Sequence, residues 1–201
     1  MNRMDISKTA IATCIFFMTA AAPAATDFRK TMRYELTGTT VTLELPYAQT
    51  GPAHDPLYSL TAVSRATMVF ERNGHGSISG NHQYLVTGVF DPSLLSRISW
   101  ADSTEWTAEF TYQITKNNDV SIFLNPGSWK GIMTSGAATG AKYTVEYDGN
   151  STTSPHLLGV FSKDRKQITL RSNGLRDIKT VFENGLISYQ KGRLQGIGVS
   201  R

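Results

Sequence analysis

From Trp106 to Ile114 the chain alternates without a break: Trp-Thr-Ala-Glu-Phe-Thr-Tyr-Gln-Ile. In an extended chain Trp106, Ala108, Phe110, Tyr112 and Ile114 share one face, and Thr107, Glu109, Thr111 and Gln113 the other. A period of two is the pattern of a strand with one side buried. Lys116-Asn-Asn-Asp119 then turns the chain, and Val120, Ile122 and Leu124 resume the alternation, so 105–125 reads as a β-hairpin. A chain built of such units must hide one face of every strand and cover its edges.

The same pattern recurs along the sequence. Strands are expected at Arg33 to Leu45, Ala66 to Glu71, Ile78 to Phe90, Ala141 to Tyr147, His156 to Ser162, Gln167 to Ser172, Ile178 to Glu183 and Leu186 to Gln190. Asn73-Gly74, Asn173-Gly174 and Asn184-Gly185 punctuate them, and Asn-Gly supplies the positive φ angles of tight hairpin turns. Residues 46–57, with Pro46, Gly51, Pro52 and Pro56, form a loop. It divides an N-terminal strand within 25–57 from the denser meander of 58–201. One helical turn is expected between Ser93 and Trp100. The fold class is therefore all-β: a single antiparallel up-and-down β-barrel of about eight strands, with a two-sheet sandwich as the alternative.

The N-terminus has a different character. Arg3 and Lys8 precede an uncharged run from Thr9 to Ala22, and Ala22-Pro23-Ala24 closes it with small residues. That is the grammar of a cleavable signal peptide over 1–24. The run of 14 residues is shorter than the ~20 a helix needs to cross a bilayer. The expectation is export to the periplasm or beyond the cell, with no membrane span after cleavage. Cys14, the single cysteine, leaves with the leader, so the mature chain has no thiol or disulfide chemistry. The formal charge of +4 is scattered, and its densest cluster, Lys163, Arg165 and Lys166, is broken by Asp164. Nucleic-acid binding calls for basic residues gathered on one face, so no nucleic-acid partner is expected. The sequence sets no oligomeric state.

The run Met68-Val-Phe-Glu-Arg-Asn-Gly-His-Gly-Ser-Ile-Ser-Gly80 resembles the strand–turn–strand of secreted bacterial calycin-type barrels, themselves similar to the allene oxide cyclase barrel. Gly159-Val-Phe-Ser-Lys-Asp-Arg-Lys-Gln-Ile-Thr-Leu170 resembles their late hairpin. A second, slighter resemblance, to the avidin barrel, runs through Tyr84-Leu-Val-Thr-Gly-Val-Phe-Asp91 and Trp106-Thr-Ala108. The resemblance implies a small barrel with a lipophilic pocket. It implies no single activity, because such barrels serve binding and isomerase functions alike.

Catalytic motifs are sparse. His54, His75, His82 and His156 lack metal-ligand spacing, so no metal is expected, and no cofactor motif is present. Gly74-His-Gly-Ser-Ile-Ser-Gly80 sits in a hairpin, where turn glycines explain it better than a nucleophile elbow. Asp102, Glu105 and Glu109 are the acidic residues near aromatics, and Glu109 is the one catalytic candidate, on condition that its strand face lines the lumen. Tyr84, Trp106, Tyr112, Trp129 and Tyr143 are the candidates for lining a ligand pocket, since large rings with a polar edge suit that role. The first expectation is a barrel that binds a small apolar or amphipathic ligand. Two alternatives stay open: an isomerase or cyclase acting on a small lipophilic substrate, and a surface module that binds another protein.

Overall fold

A computed structural model describes residues 28, 30–45, 56–96, 100–148 and 151–200. The leader expected over 1–24, His54 and most of the Pro-rich loop lie outside the described residues. Eleven antiparallel strands form one sheet. They are β1 (Met32–Leu45), β2 (Tyr58–Phe70), β3 (His75–Val89), β4 (Ala101–Ile114), β5 (Asp119–Leu124), β6 (Lys130–Met133), β7 (Lys142–Tyr147), β8 (Leu157–Phe161), β9 (Gln167–Ser172), β10 (Arg176–Phe182) and β11 (Ile187–Ser200). The helical turn is a 3₁₀ turn at Pro92–Leu94, where Asp91 Oδ1 accepts from the Ser93 amide at 2.9 Å.

The sheet closes on itself, because β1 pairs with β2 on one side and with β11 on the other. β1 is thus a full member of the ring and not an appendage before the loop. Five long strands, β1 to β4 and β11, run the height of the ring. The gap between β4 and β11 is spanned twice. At one end β5, β8 and β9 bridge it, pairing with Phe110–Ile114 of β4 and Gln195–Val199 of β11. At the other end β6, β7 and β10 bridge it, pairing with Thr104–Thr107 of β4 and Arg176–Val181 with Ile187–Gly192 of β11. Either path makes a ring of eight strands. The expected all-β ring is present, reached with eleven strands because one wall is split across the height.

Strand parity places side chains inside or outside, and inward side-chain size decides what the inside becomes. At the β5–β8–β9 end the inward residues are large: Tyr34, Met68, Phe70, Phe110, Tyr112, Ile122, Phe161 and Ile168 are all nearly inaccessible. Phe70 is the hub. Its ring centroid lies 5.5 Å from Phe28, 5.8 Å from Tyr34, 5.4 Å from Phe110, 5.0 Å from Tyr112 and 5.4 Å from Phe161, mostly edge-to-face. The phenol of Tyr34 donates to the Arg165 carbonyl at 2.7 Å, and that of Tyr112 donates to the Glu71 carbonyl. The Arg165 guanidinium lies 5.1 Å from the centre of the Phe28 ring. This half is densely packed. At the β6–β7–β10 end the inward positions are smaller, with Thr40, Thr42, Ala62, Thr104, Val145 and Thr180 among them, and the interior stays open.

Three segments differ from the sequence expectation. β2 begins at Tyr58, eight residues before the expected strand, because inward Ala62 and Ser64 are small or polar while outward Val63 is apolar, which blurs the alternation. β6 occupies Lys130–Met133, where no strand was expected. There the Tyr143 ring lies directly over Gly131, where a Cβ would collide with it. β11 runs on to Ser200. Its inward positions include Gly192, Gly196 and Gly198, while Ile197 and Val199 face outward and are about half exposed, so the hydrophobic pattern is inverted.

Candidate functional site

The open half of the ring holds a cavity of about 460 Å³. Its walls come from β1, β2, β3 and β4 on one side and from β6, β7, β10 and β11 on the other. Leu94, Trp100 and Leu186 stand at its mouth, Trp100 and Leu186 more than half exposed.

Stacked rings lie between the open and packed halves. His82 lies 4.8 Å from Trp106 with the rings 17° apart in plane, and Trp106 lies 4.8 Å from Trp129 at 25°. Trp129 continues to Tyr147 at 5.1 Å and 23°. His82, Trp129 and Tyr147 line the cavity, and Trp106, Trp129 and Tyr147 line a void of about 40 Å³ on the packed side. The indole Nε1 of Trp106 is buried with no partner. Beyond this layer, His156 Nδ1 accepts from the Leu124 amide at 3.0 Å, and the Tyr147 ring meets its imidazole edge-on at 6.0 Å. Burial lowers the pKa of His156, the neighbouring Arg176 lowers it further, and Asp148 opposes both. Arg176 is itself buried, held by Asp148 at 2.5 Å and by the Pro155 carbonyl.

Within the cavity the polar groups are mostly uncharged. His82 Nδ1 and the Ser64 hydroxyl are 2.6 Å apart. Burial drops the His82 pKa to about 4, so the imidazole is neutral near pH 7. The two groups share one hydrogen bond, whose direction follows the tautomer of the neutral ring. The hydroxyls of Thr104 and Tyr143 are 2.5 Å apart, and Thr104 Oγ1 also donates to the Ile132 carbonyl at 2.9 Å. Burial raises the pKa values of Tyr84, Tyr143 and Tyr147, so all three phenols keep their protons. For Tyr84 the nearby phenols of Tyr143 and Tyr147 add to the effect of burial, and for Tyr143 the Thr104 hydrogen bond opposes it. Thr40 Oγ1 is buried without a partner. Asp102 is the one carboxylate in the lining, and no Lys or Arg lines the cavity among the described residues.

Of the residues picked from sequence, the structure brings Tyr84, Trp129 and Tyr143 together around this cavity. Trp106 lies one layer below, as the support on which His82 and Trp129 rest. Tyr112 belongs to the packed half, against Phe70. Glu109 stands on the outer face and is exposed, because its neighbours Ala108 and Phe110 take the inward positions. The condition attached to it, a lumen on the polar side of its strand, is not met. Sequence reasoning passed over His82, Thr40 and Thr104. Their signal was parity: Ile78, Gly80, His82 and Tyr84 share one face of β3, and Thr104 shares a face with Trp106.

Against known proteins the chain finds no match: no family model fits it, and no curated protein or solved structure is significantly similar to it.

Proposed function

We propose that this is an exported protein that holds a small apolar or amphipathic ligand in the open half of its ring. The observation that carries the reading is the change in inward side-chain size along one closed ring. Aromatic side chains fill one half, and in the other Thr40, Thr42, Ala62, Thr104 and Val145 leave about 460 Å³ beside the rings of Tyr84, Tyr143 and Phe182. That volume falls in the range of about 300–1,000 Å³ typical of small-molecule sites. The lining has the usual makeup of such sites, apolar surface with a few placed hydroxyls. The resemblance to calycin-type barrels belongs to the same proposal. Export rests on the leader over 1–24, and it requires the mature protein to begin near Ala25 when isolated from its source. The isomerase or cyclase alternative loses the carboxylate it named, since Glu109 is outside the lumen.

The test uses a neutral fluorescent apolar dye, N-phenyl-1-naphthylamine. The protein takes up one dye per chain with a rise in fluorescence. Ala62 is buried, inward-facing and part of the cavity wall, so Ala62→Phe fills the space and abolishes uptake while the protein still melts cooperatively. Dye uptake that Ala62→Phe leaves unchanged, or no uptake by the unaltered protein, refutes the reading.

A further inference from the structure

The inner end of the cavity holds two phenol protons that no protein group accepts. Thr104 Oγ1 donates to the Ile132 carbonyl at 2.9 Å, and a hydroxyl has one proton to give. Tyr143, whose phenol meets that same oxygen at 2.5 Å, is therefore the donor of its pair. His82 and Ser64 share a hydrogen bond. Tyr84 and Tyr147 differ, since neither hydroxyl has a partner among the described residues. Both residues take inward positions, Tyr84 in line with His82 on β3 and Tyr147 in line with Tyr143 and Val145 on β7, and both line the cavity. Among the described residues the sealed, unpartnered side-chain atoms are Thr40 Oγ1, Trp106 Nε1 and Arg176 Nε, and the two phenol oxygens are not among them. Each hydroxyl therefore opens onto space that a small molecule can enter. For Tyr147 that space is the cavity, because the void beneath it has an almost wholly apolar wall. The two phenols are close enough for a charge on Tyr147 to be felt at Tyr84.

Water satisfies such protons while a cavity is empty. A purely apolar ligand filling the lumen would drive that water out and strand both donors, and a stranded donor costs more than an ordinary hydrogen bond returns. The occupant must therefore bring an acceptor. A carbonyl oxygen has two lone pairs and no proton of its own, so one such group can accept from both phenols. Burial keeps both phenols protonated, so the donors persist at neutral pH. Further out the walls are largely apolar, with Leu60, Val145 and Phe182 along them and Leu94, Trp100 and Leu186 at the mouth.

We propose that the cavity takes a compound with an apolar body and a carbonyl group, as in a ketone, aldehyde or ester, whose oxygen accepts from Tyr84 and Tyr147 while the body lies toward the mouth. The inference rests on the lumen-binding reading, and a matched pair of probes separates the two. 2-Nonanone and 2-methyl-1-nonene differ only in carrying C=O or C=CH2. Each is titrated as a displacer of N-phenyl-1-naphthylamine from the unaltered protein, Tyr84→Phe and Tyr147→Phe, once the affinity of the dye for each protein has been measured. Both variants keep the ring and lose a hydroxyl that bonds no protein group, so their melting temperatures stay close to that of the unaltered protein. Each variant binds 2-nonanone about five- to tenfold more weakly, and binds the alkene as well as before or better, because a stranded donor has gone. A ketone-specific loss in one variant alone upholds the carbonyl site and assigns the donation to that phenol. Equal affinity of all three proteins for 2-nonanone, or a loss that falls on ketone and alkene alike, overturns the inference. So does failure of 2-nonanone to displace the dye. Each of these leaves the lumen reading intact, because that reading rests on dye uptake and its loss in Ala62→Phe. If the dye itself is not taken up, both proposals fall together.

Discussion

Replacing His82 by asparagine should make the protein more resistant to mild acid. An unfolded histidine binds its proton with a pKa near 6.5, but burial among Trp106, Trp129 and Tyr84 brings position 82 down to about 4. Between those values the unfolded chain takes up a proton that the folded chain refuses. Stability supplied by the neutral His82 is therefore complete above pH 6.5, falls as the pH drops from there to about 4, and levels off below. Each pH unit in that window costs about 1.4 kcal/mol, or about 3 kcal/mol across it. The asparagine side chain carries no such proton, and its amide reaches the place of Nδ1, so the Ser64 hydrogen bond survives. His156, pushed down by burial and by Arg176, weakens both proteins in acid alike and cancels in the comparison. Urea unfolding followed by tryptophan fluorescence, repeated at steps from about pH 7 to about pH 4, measures the difference directly. The unaltered protein should lose about 3 kcal/mol more than His82→Asn over that range. A gap between the two proteins that stays constant with pH would show that His82 protonates freely in the folded state, and that the floor of the cavity is wet.

The packed half should behave as a solid core. Phe70→Ala removes the hub of five ring contacts and should cost about 3–5 kcal/mol in urea unfolding, with little effect on dye uptake in the other half. Asp148→Asn strands the buried Arg176 guanidinium and should cost about 3 kcal/mol, part of which the double variant Asp148→Asn with Arg176→Met recovers. Glu109→Gln alters an exposed outer position, so its stability should stay within about 0.5 kcal/mol of the unaltered protein and its dye affinity should not change. Gly131→Ala drives a methyl group into the Tyr143 ring, which should break the Thr104–Tyr143 contact and weaken dye uptake more than it lowers the melting temperature.

Much of the fold was legible because most strands obey a plain rule: inward positions are apolar and outward ones polar. β4 keeps that rule from Trp106 to Ile114, and its hairpin partner β5 keeps it too. The rule fails where the ring needs space instead of packing. Ala62 and Ser64 in β2 and the inward glycines of β11 face the interior with little or no apolar bulk, so those stretches look like loops. The split wall could not be read either. The β4–β5 hairpin was legible, but the second bridge depends on contacts between residues far apart in sequence, such as Thr104 with Met133 and Val145 with Thr180.

The same rule that hid these strands marks the cavity. Large inward residues crowd the half of the ring nearest Phe70, and small or hydroxylated inward residues gather in the half that holds Tyr84 and Tyr143. Read by parity, the inward positions of β3 pass from Ile78 through Gly80 and His82 to Tyr84, from the packed half through the stacked rings into the cavity. Searching for motifs overlooks such a site, since none of its polar groups lies at a diagnostic spacing from another. What joins Thr40, His82 and Thr104 is register: Thr40 faces Ala62 across β1 and β2, and His82 faces Ser64 on one side and Thr104 on the other. Aromatic residues chosen by type alone divided between the two halves, Tyr84, Trp129 and Tyr143 to the cavity and Tyr112 to the core. Ring chemistry is common to both groups; the size of the inward residues around each ring decides which becomes wall and which becomes filling.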